Sequence, residues 1–318
     1  MKIRLSIIIP FYNVEKYITE CLDSVYNQDI PEEEYEVICV NDASPDGSRD
    51  IVLKYQEKHP NLILVEHEVN KKLGAARNTG RRIARGKYLW NVDSDDMITP
   101  NCLREILDRC ETNNLDVLLF GFCELTDSLK KVHSPWDNCA DVVTGISFWK
   151  EHGIPHQNIL SQVWSQVFRK DFLDDQKIFS PEINMGEDVP YSYSSILLAD
   201  RLIAVPDAYY IYRINPVSLT GTLLLSPSAQ TVYEHCFICS RHLNNLRKRV
   251  STNEKEVINS IRMAVRFVVL GYEKSVSSME EKQVLMLRSR CRCDFLKNLF
   301  VFNALNWRQG LSYLRFLI

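Results

Sequence analysis

Leu5-Ser6-Ile7-Ile8-Ile9-Pro10-Phe11-Tyr12-Asn13 decides how the fold is read. From Leu5 to Ile9 the run is apolar almost without interruption, lacks the alternation of a half-exposed strand, and stops at a proline followed by a polar turn. Such a strand is buried on both faces, which is the situation of a parallel sheet covered by helices. Working outward, this first strand (residues 3–9) is followed by similar runs at 36–41, 62–66, 87–92 and 116–120. Helix-like stretches lie between them near 15–28, 48–58, 74–84 and 100–112. The alternation predicts an α/β fold with a mostly parallel sheet flanked by helices, whose ligands bind beyond the strand C-termini. The segments that leave those ends are the polar ones: Phe11-Tyr12-Asn13, Asp42-Ala43-Ser44-Pro45-Asp46-Gly47, Asn70 to Gly74, and Asp93-Ser94-Asp95-Asp96.

Composition sets bounds on this reading. The 318 residues are 45% hydrophobic and 25% charged, the balance of a globular chain rather than a disordered or membrane-spanning one. Lys plus Arg number 38 against 41 Asp plus Glu, so the net charge of -3 gives no global reason to expect nucleic-acid binding. The ten cysteines form no zinc pattern: Cys236-Phe237-Ile238-Cys239 has the spacing of one half-site, but no second pair or His cluster completes it. Scattered thiols point to a reducing compartment. The apolar run from Ile3 to Ile9 is too short for a signal peptide, so a cytoplasmic protein is expected.

Residues 121–160 show no periodicity that assigns elements. After about residue 225 the chain reads as helical. Ser226 and Pro227 fit an N-cap and first helical position, and Val232, Cys236, Cys239, Leu243 and Leu246 repeat at spacings of three and four. Ser251 and Glu254 fit a capping box before Val257, Ile261, Val265 and Val268. The expected division is therefore 1–225 and a helical extension over 226–318.

Asp93-Ser94-Asp95-Asp96 puts three carboxylates in four residues directly after an apolar strand. Their mutual repulsion is relieved by a divalent cation, since Mg²⁺ and Mn²⁺ take hard oxygen ligands from one or two carboxylates plus substrate phosphates. The alternative is a solvated loop in which Asp96 or Thr99 caps the helix that follows. Two other α/β activities fit less well. A nucleotidyltransferase or a dehydrogenase carries a glycine-rich phosphate loop after a strand, whereas Pro10-Phe11-Tyr12-Asn13 contains no glycine and no GxGxxG follows any strand.

Four blocks occur in order: Ser6 to Asn13; Val40-Asn41-Asp42-Ala43-Ser44-Pro45-Asp46-Gly47-Ser48; Leu73-Gly74-Ala75-Ala76-Arg77-Asn78-Thr79-Gly80; and Asp93-Ser94-Asp95-Asp96. Together they resemble the inverting glycosyltransferases of family 2, which have the GT-A fold, over roughly residues 3–220. The resemblance implies a Rossmann-like GT-A domain, with a nucleotide-sugar half over about 1–120 and an acceptor half over about 121–225. It implies transfer of a sugar from a nucleotide-diphosphate donor, most commonly UDP-linked, to an acceptor hydroxyl in bacterial-type polysaccharide or glycolipid assembly. An inactive GT-A-like binding module is the second reading.

Residue by residue, the resemblance makes Pro10, Tyr12 and Asp42 base and ribose contacts, although Asp42 also fits a cap for the helix entered through Gly47. Arg77 and Asn78, early in a helix opened by Gly74, suit a nucleotide or its phosphates, with a surface position as the alternative for Arg77. Asp93 and Asp95 match the DxD element, with Asp93 on ribose or metal, Asp95 on the metal, and Asp96 as a ligand or its support. In Met185-Gly186-Glu187-Asp188-Val189-Pro190 the role of base falls on Asp188, while an acid-rich helix N-terminus explains the same residues. Trp164 stacks on a sugar or packs in the core, and Arg213, in Tyr210-Ile211-Tyr212-Arg213 with Ser218, is a phosphate contact. The Gln-x-x-Arg-Trp block of processive synthases is absent.

The C-terminal stretch carries Arg288, Arg290, Arg292, Lys297, Arg308 and Arg315 among many aromatics, against the single acid Asp294. Its longest uncharged run, Asn298 to Trp307, is too short to span a bilayer. A basic aromatic segment lies on an anionic leaflet, which suits a lipid-linked saccharide acceptor at the inner membrane face, or it packs on the domain or a second subunit.

Overall fold

The computed structural model describes residues 2–125, 130–134, 139–153, 161–183, 186–214, 228–250, 255–261 and 280–293. The chain divides into two compact units, residues 1–182 with 195–214, and residues 183–194 with 215–318. The division expected near residue 225 falls among residues 215–227, outside the described residues, as do Ser226, Pro227, Ser218, Ser251, Glu254 and everything after 293.

The first unit alternates as the sequence predicts: β1 (Leu5–Phe11), α1 (Ile18–Tyr26), β2 (Tyr35–Asn41), α2 (Ser48–Lys58), β3 (Leu62–Glu66), α3 (Leu73–Ile83) and β4 (Tyr88–Asn91). A two-residue strand β5 (Met97–Ile98) and α4 (Leu103–Thr112) lead to β6 (Val117–Leu125). The stretch that sequence left unassigned contains β7 (Lys130–His133), β8 (Cys139–Val143) and α5 (Gly145–Phe148), followed by β9 (Gln166–Arg169), α6 (Lys170–Asp175), α7 (Asp188–Leu197) and β10 (Leu202–Arg213). The main path of the sheet runs β3-β2-β1-β4-β9-β6-β10-β5.

The parallel expectation holds for β3, β2, β1 and β4, and again for β6 beside β10. The other half is mixed, because β9 is antiparallel to both β4 and β6, and β5, β7 and β8 add antiparallel edges. β5, β7 and β8 follow the preceding strand after only four or five residues, without the helical crossovers that gave the first half its signal.

β1 is buried throughout because helices cover it on both faces. A Cβ on Gly80 of α3 would come 2.5 Å from Ile8 Cγ2, so that glycine lets the helix lie directly on β1. Pro10 is accommodated inside this central strand for a geometric reason. The Ile8 carbonyl accepts from Val92 N–H and the Phe11 carbonyl from Asp42 N–H, so even-numbered positions face β4 and odd ones face β2. β4 pairing ends at Ile8↔Asn91, so the hydrogen that Pro10 lacks would point past the end of its neighbour.

In the second unit, Ser228 caps a helix at Ala229–Tyr233, accepting from Thr231 N–H at 3.1 Å. The helix continues through a wide turn at Glu234–Cys239 into Ser240–Arg249. Cys239, Leu243 and Leu246 are buried, as their spacing predicts. The seven cysteines described as free include Cys239 and Cys291, both buried, in keeping with helix positions rather than a metal site. No helix among the described residues is long and apolar enough to cross a membrane.

Candidate functional site

β2, β1 and β4 are neighbours in the sheet, and the loops from their C-terminal ends meet at one edge. Three non-glycine residues there hold positive φ: Asn13 after β1 (57°), Ala43 after β2 (59°) and Lys72 before α3 (79°). Such conformations persist where surrounding contacts over-determine them, and they concentrate at functional edges.

The first two loops are sewn together. Asn13 N–H donates to Ser44 Oγ at 2.8 Å, Val14 N–H to Ser48 Oγ at 3.1 Å, and Glu15 N–H to Asp46 Oδ2 at 2.8 Å. Asp46, not Asp42, supports the start of α2, accepting from Ser48 N–H at 3.2 Å and from the Ser44 and Ser48 hydroxyls at 2.6 Å. Partial burial works against the Asp46 charge, but these hydrogen bonds prevail and hold its carboxyl below the usual aspartate range. The capping alternative for Asp42 is thereby replaced.

Asp42 is buried and gathers a different set of donors. Its Oδ1 accepts from Lys71 N–H and lies against His67 Nδ1, both at 2.7 Å, while Oδ2 accepts from Lys72 N–H at 2.9 Å. Tyr12, by contrast, is 48% exposed at the exit of β1, and Pro10 is buried within the strand.

The face of α3 along Gly74, Asn78 and Arg81 is occupied by the segment 174–182. Arg81 binds the Ile178 carbonyl and, at 2.6 Å, Asp174. Asn78 Nδ2 donates to the Ser180 carbonyl at 2.9 Å, and Asn78 Oδ1 accepts from Ser180 N–H at 3.0 Å. Asn78, read from the sequence as a nucleotide contact, therefore has its amide committed to the backbone, because a buried amide beside the buried main-chain N–H and C=O of Ser180 pairs with both. Arg77, one position along, turns toward the acid loop and is 3% exposed, which removes the surface-position alternative. Its Nη2 donates to Asp93 Oδ1 at 2.8 Å.

The acid loop is fixed from β10. Tyr210 Oη accepts from Asp93 N–H at 3.1 Å and donates to Asp96 Oδ2 at 2.7 Å. Arg213 N–H donates to Asp96 Oδ1 at 2.7 Å, and Arg213 Nε to the Asp95 carbonyl at 3.1 Å. Arg213 then reaches Glu20 at 2.7 Å and lies over Tyr17. Asp96 is thus a support for the loop and for β10, not a cap of α4. Trp164 is 5% exposed and stacks on Tyr210, with centroids 4.4 Å apart, and on Tyr212; it belongs to the core. Sequence reasoning gave no role to His67 or Tyr210, since each acts through a partner remote in the chain.

Burial, reinforced by Asp95 and Asp93, pushes the Asp96 carboxyl well above the usual aspartate range. A carboxyl raised in the fold contributes stability that is full below about pH 4, the unfolded value, and is lost as pH rises through the elevated one. Denaturant unfolding between pH 4 and 8 is therefore expected to show a steeper loss of stability in the wild type than in Asp96→Asn. Equal slopes would show that Asp96 ionises normally.

Asp188 opens α7 and is half-buried, in the second unit. Residues 6–166 match the family model described as Glycosyl transferase family 2, half of the chain. The chain belongs to this family. Pro10, Tyr12, Asp42, Arg77, Asn78, Asp93 and Asp95 lie within the family match, and Asp188 and Arg213 beyond it.

Two bacillar relatives extend the likeness. The uncharacterized glycosyltransferase EpsJ of Bacillus subtilis is 32% identical over 218 residues, 68% of this chain and 62% of its own length. A poly(ribitol-phosphate) beta-glucosyltransferase of Bacillus spizizenii is 33% identical over 221 residues, 67% of this chain but 32% of its own length. The chain thus spans less than two thirds of these relatives. Among solved structures, Staphylococcus aureus TarS 1–349 in complex with UDP-GlcNAc superposes with a TM-score of 0.67 at 22% identity, covering 97% of this chain and 92% of that one. A mannosyltransferase of Pyrobaculum calidifontis, in complex with GDP-Man and Mn²⁺, gives 0.54 at 16% identity, covering 96% and 86%. The fold is GT-A, a mixed α/β sheet flanked by helices.

Proposed function

We propose that this chain is an inverting glycosyltransferase that moves a sugar from a UDP-linked donor to an acceptor hydroxyl in the assembly of a bacterial-type polysaccharide or glycolipid. The observation that carries the reading is the junction at the edge of β1, β2 and β4, where α3 presents Arg77 to Asp93 beside Asp95, with Asp42 at the end of β2 on the other side of β1. UDP is favoured because the TarS structures hold UDP-GlcNAc or UDP.

The acid loop fits a divalent cation. Burial, then the charges of Asp95 and Asp93, raise the cost of ionising Asp96 there, and Arg213, the second cation at the loop, is also paired with Glu20. In this reading the ion would be held by Asp93 and Asp95 together with donor phosphates, since Mg²⁺ and Mn²⁺ commonly take one or two carboxylates plus substrate oxygens. Mn²⁺ or Mg²⁺ bound there supplies charge neutralisation for the departing diphosphate.

Asp42 and Tyr12 hold the nucleoside in this reading, and Arg77 and Arg213 the charge of the diphosphate. The acceptor oxygen attacks the anomeric carbon from the face opposite the leaving group. The bond from that carbon to the phosphate oxygen breaks, and the acceptor proton passes to Asp188. One displacement inverts the centre. A saccharide or lipid-linked saccharide is the acceptor, and the basic, aromatic C-terminal sequence favours work at the inner face of the membrane.

Calorimetric titration of UDP, GDP, CDP and dTDP, each with Mn²⁺ and with EDTA, tests the proposal. Binding of UDP that requires Mn²⁺ and is lost in Asp95→Ala is expected. Folded protein that binds none of the four would favour a GT-A-like module without donor chemistry. Binding of GDP alone would move the donor to a guanosine sugar.

A further inference from the structure

We infer that His67 is a positioning residue for donor binding: it orients the Asp42 carboxylate, its own ring being braced by Thr79. His67 lies one residue past β3, and its N–H donates to the Asn41 carbonyl at 2.9 Å, prolonging the ladder so that the ring falls beside Asp42. Its Nδ1 is 2.7 Å from Asp42 Oδ1 and its Nε2 is 2.9 Å from Thr79 Oγ1, with the ring buried. An ionised carboxylate can only accept, so Nδ1 carries a hydrogen and donates it to Asp42. In the neutral ring Nε2 then accepts from the Thr79 hydroxyl, which completes a directed chain from α3 to the end of β2.

The acceptor capacity of Asp42 explains why orientation matters. A carboxylate offers about four acceptor positions. His67 and Lys71 N–H take both on Oδ1, and Lys72 N–H takes one on Oδ2. One position on Oδ2 remains for a ligand donor, and its direction is set by the three contacts already made. Lys72 reaches its contact only by adopting φ 79°, ψ 161°, a strained conformation for a residue with a Cβ. Without His67 the carboxylate would be held by two backbone amides of that strained segment alone.

The inference rests on the reading of Asp42 as a nucleoside contact, and a pair of substitutions separates the two. An asparagine amide can replace Nδ1 but not Nε2, whereas glutamine reaches the Nε2 position. His67→Asn should therefore keep the Asp42 contact and bind UDP with Mn²⁺ within about threefold of wild type. His67→Gln should lose the contact and weaken binding by about tenfold or more, as for a hydrogen bond to a charged group. Amide exchange at Lys71 and Lys72, read by NMR without nucleotide, should accelerate in His67→Gln and not in His67→Asn. Equal effects of the two substitutions on affinity and exchange, or none, would overturn the role of His67. If the exchange pattern holds while Asp42→Asn leaves UDP affinity intact, the error lies in the nucleoside reading and His67 is a structural tie, which also overturns the inference.

Discussion

Asp188→Asn should lower sugar transfer by about 10² to 10⁴-fold while leaving UDP affinity unchanged. The substitution keeps the shape of the side chain but removes its negative charge, and with it its capacity to take a proton. Asp188 opens α7, and asparagine serves a helix start about as well as aspartate, so the helix is expected to survive. The carboxylate has two possible contributions, favourable charge at a helix N-terminus and acceptance of a proton, and the paired readouts separate them. Initial-rate transfer assays beside calorimetry with UDP and Mn²⁺ make the distinction. Loss of nucleotide binding together with transfer would assign Asp188 a structural role, and near-normal transfer would place the base elsewhere.

Gly74→Ala should destabilise the first unit by about 1–3 kcal/mol, the range for forcing a methyl into a packed site. A Cβ at this position would overlap the Pro181 carbonyl oxygen and approach the carbonyl carbon at 3.0 Å, so backbone must move. The displaced segment is the one that Asn78 and Arg81 hold against α3. A shift of α3 also carries Arg77 away from Asp93, so weaker donor binding should accompany the lost stability. Gly47→Ala is the comparison. Its added methyl would meet only the end of the Glu15 side chain, which can rotate away, so its effect should be much smaller. Denaturant unfolding of both variants tests this; equal losses would mean that α3 and the 174–182 segment adjust freely.

The strand and helix pattern of the first unit was legible because both requirements are local. β1 needs apolar residues on both faces, and α3 needs small residues where it meets the sheet, as at Gly80. Polar residues at strand ends likewise marked the edge where Asp42, Arg77 and Asp93 now stand. The antiparallel half was not legible, since β5, β7 and β9 carry too few residues to show a period and lack the regular strand and helix alternation that marked the equally short β4.

Sequence by itself determined the α/β alternation and the sheet edge at which the polar loops and their carboxylates gather, because apolar runs and turn residues act on their immediate neighbours. Only the tertiary structure decided which acids and amides are committed as supports. Asp96 is committed to Tyr210 and Arg213 across more than a hundred residues, Asn78 to Ser180, and Asp42 to His67. A buried polar atom is satisfied by whatever partner the fold brings within reach, and spacing along the chain carries no record of that partner.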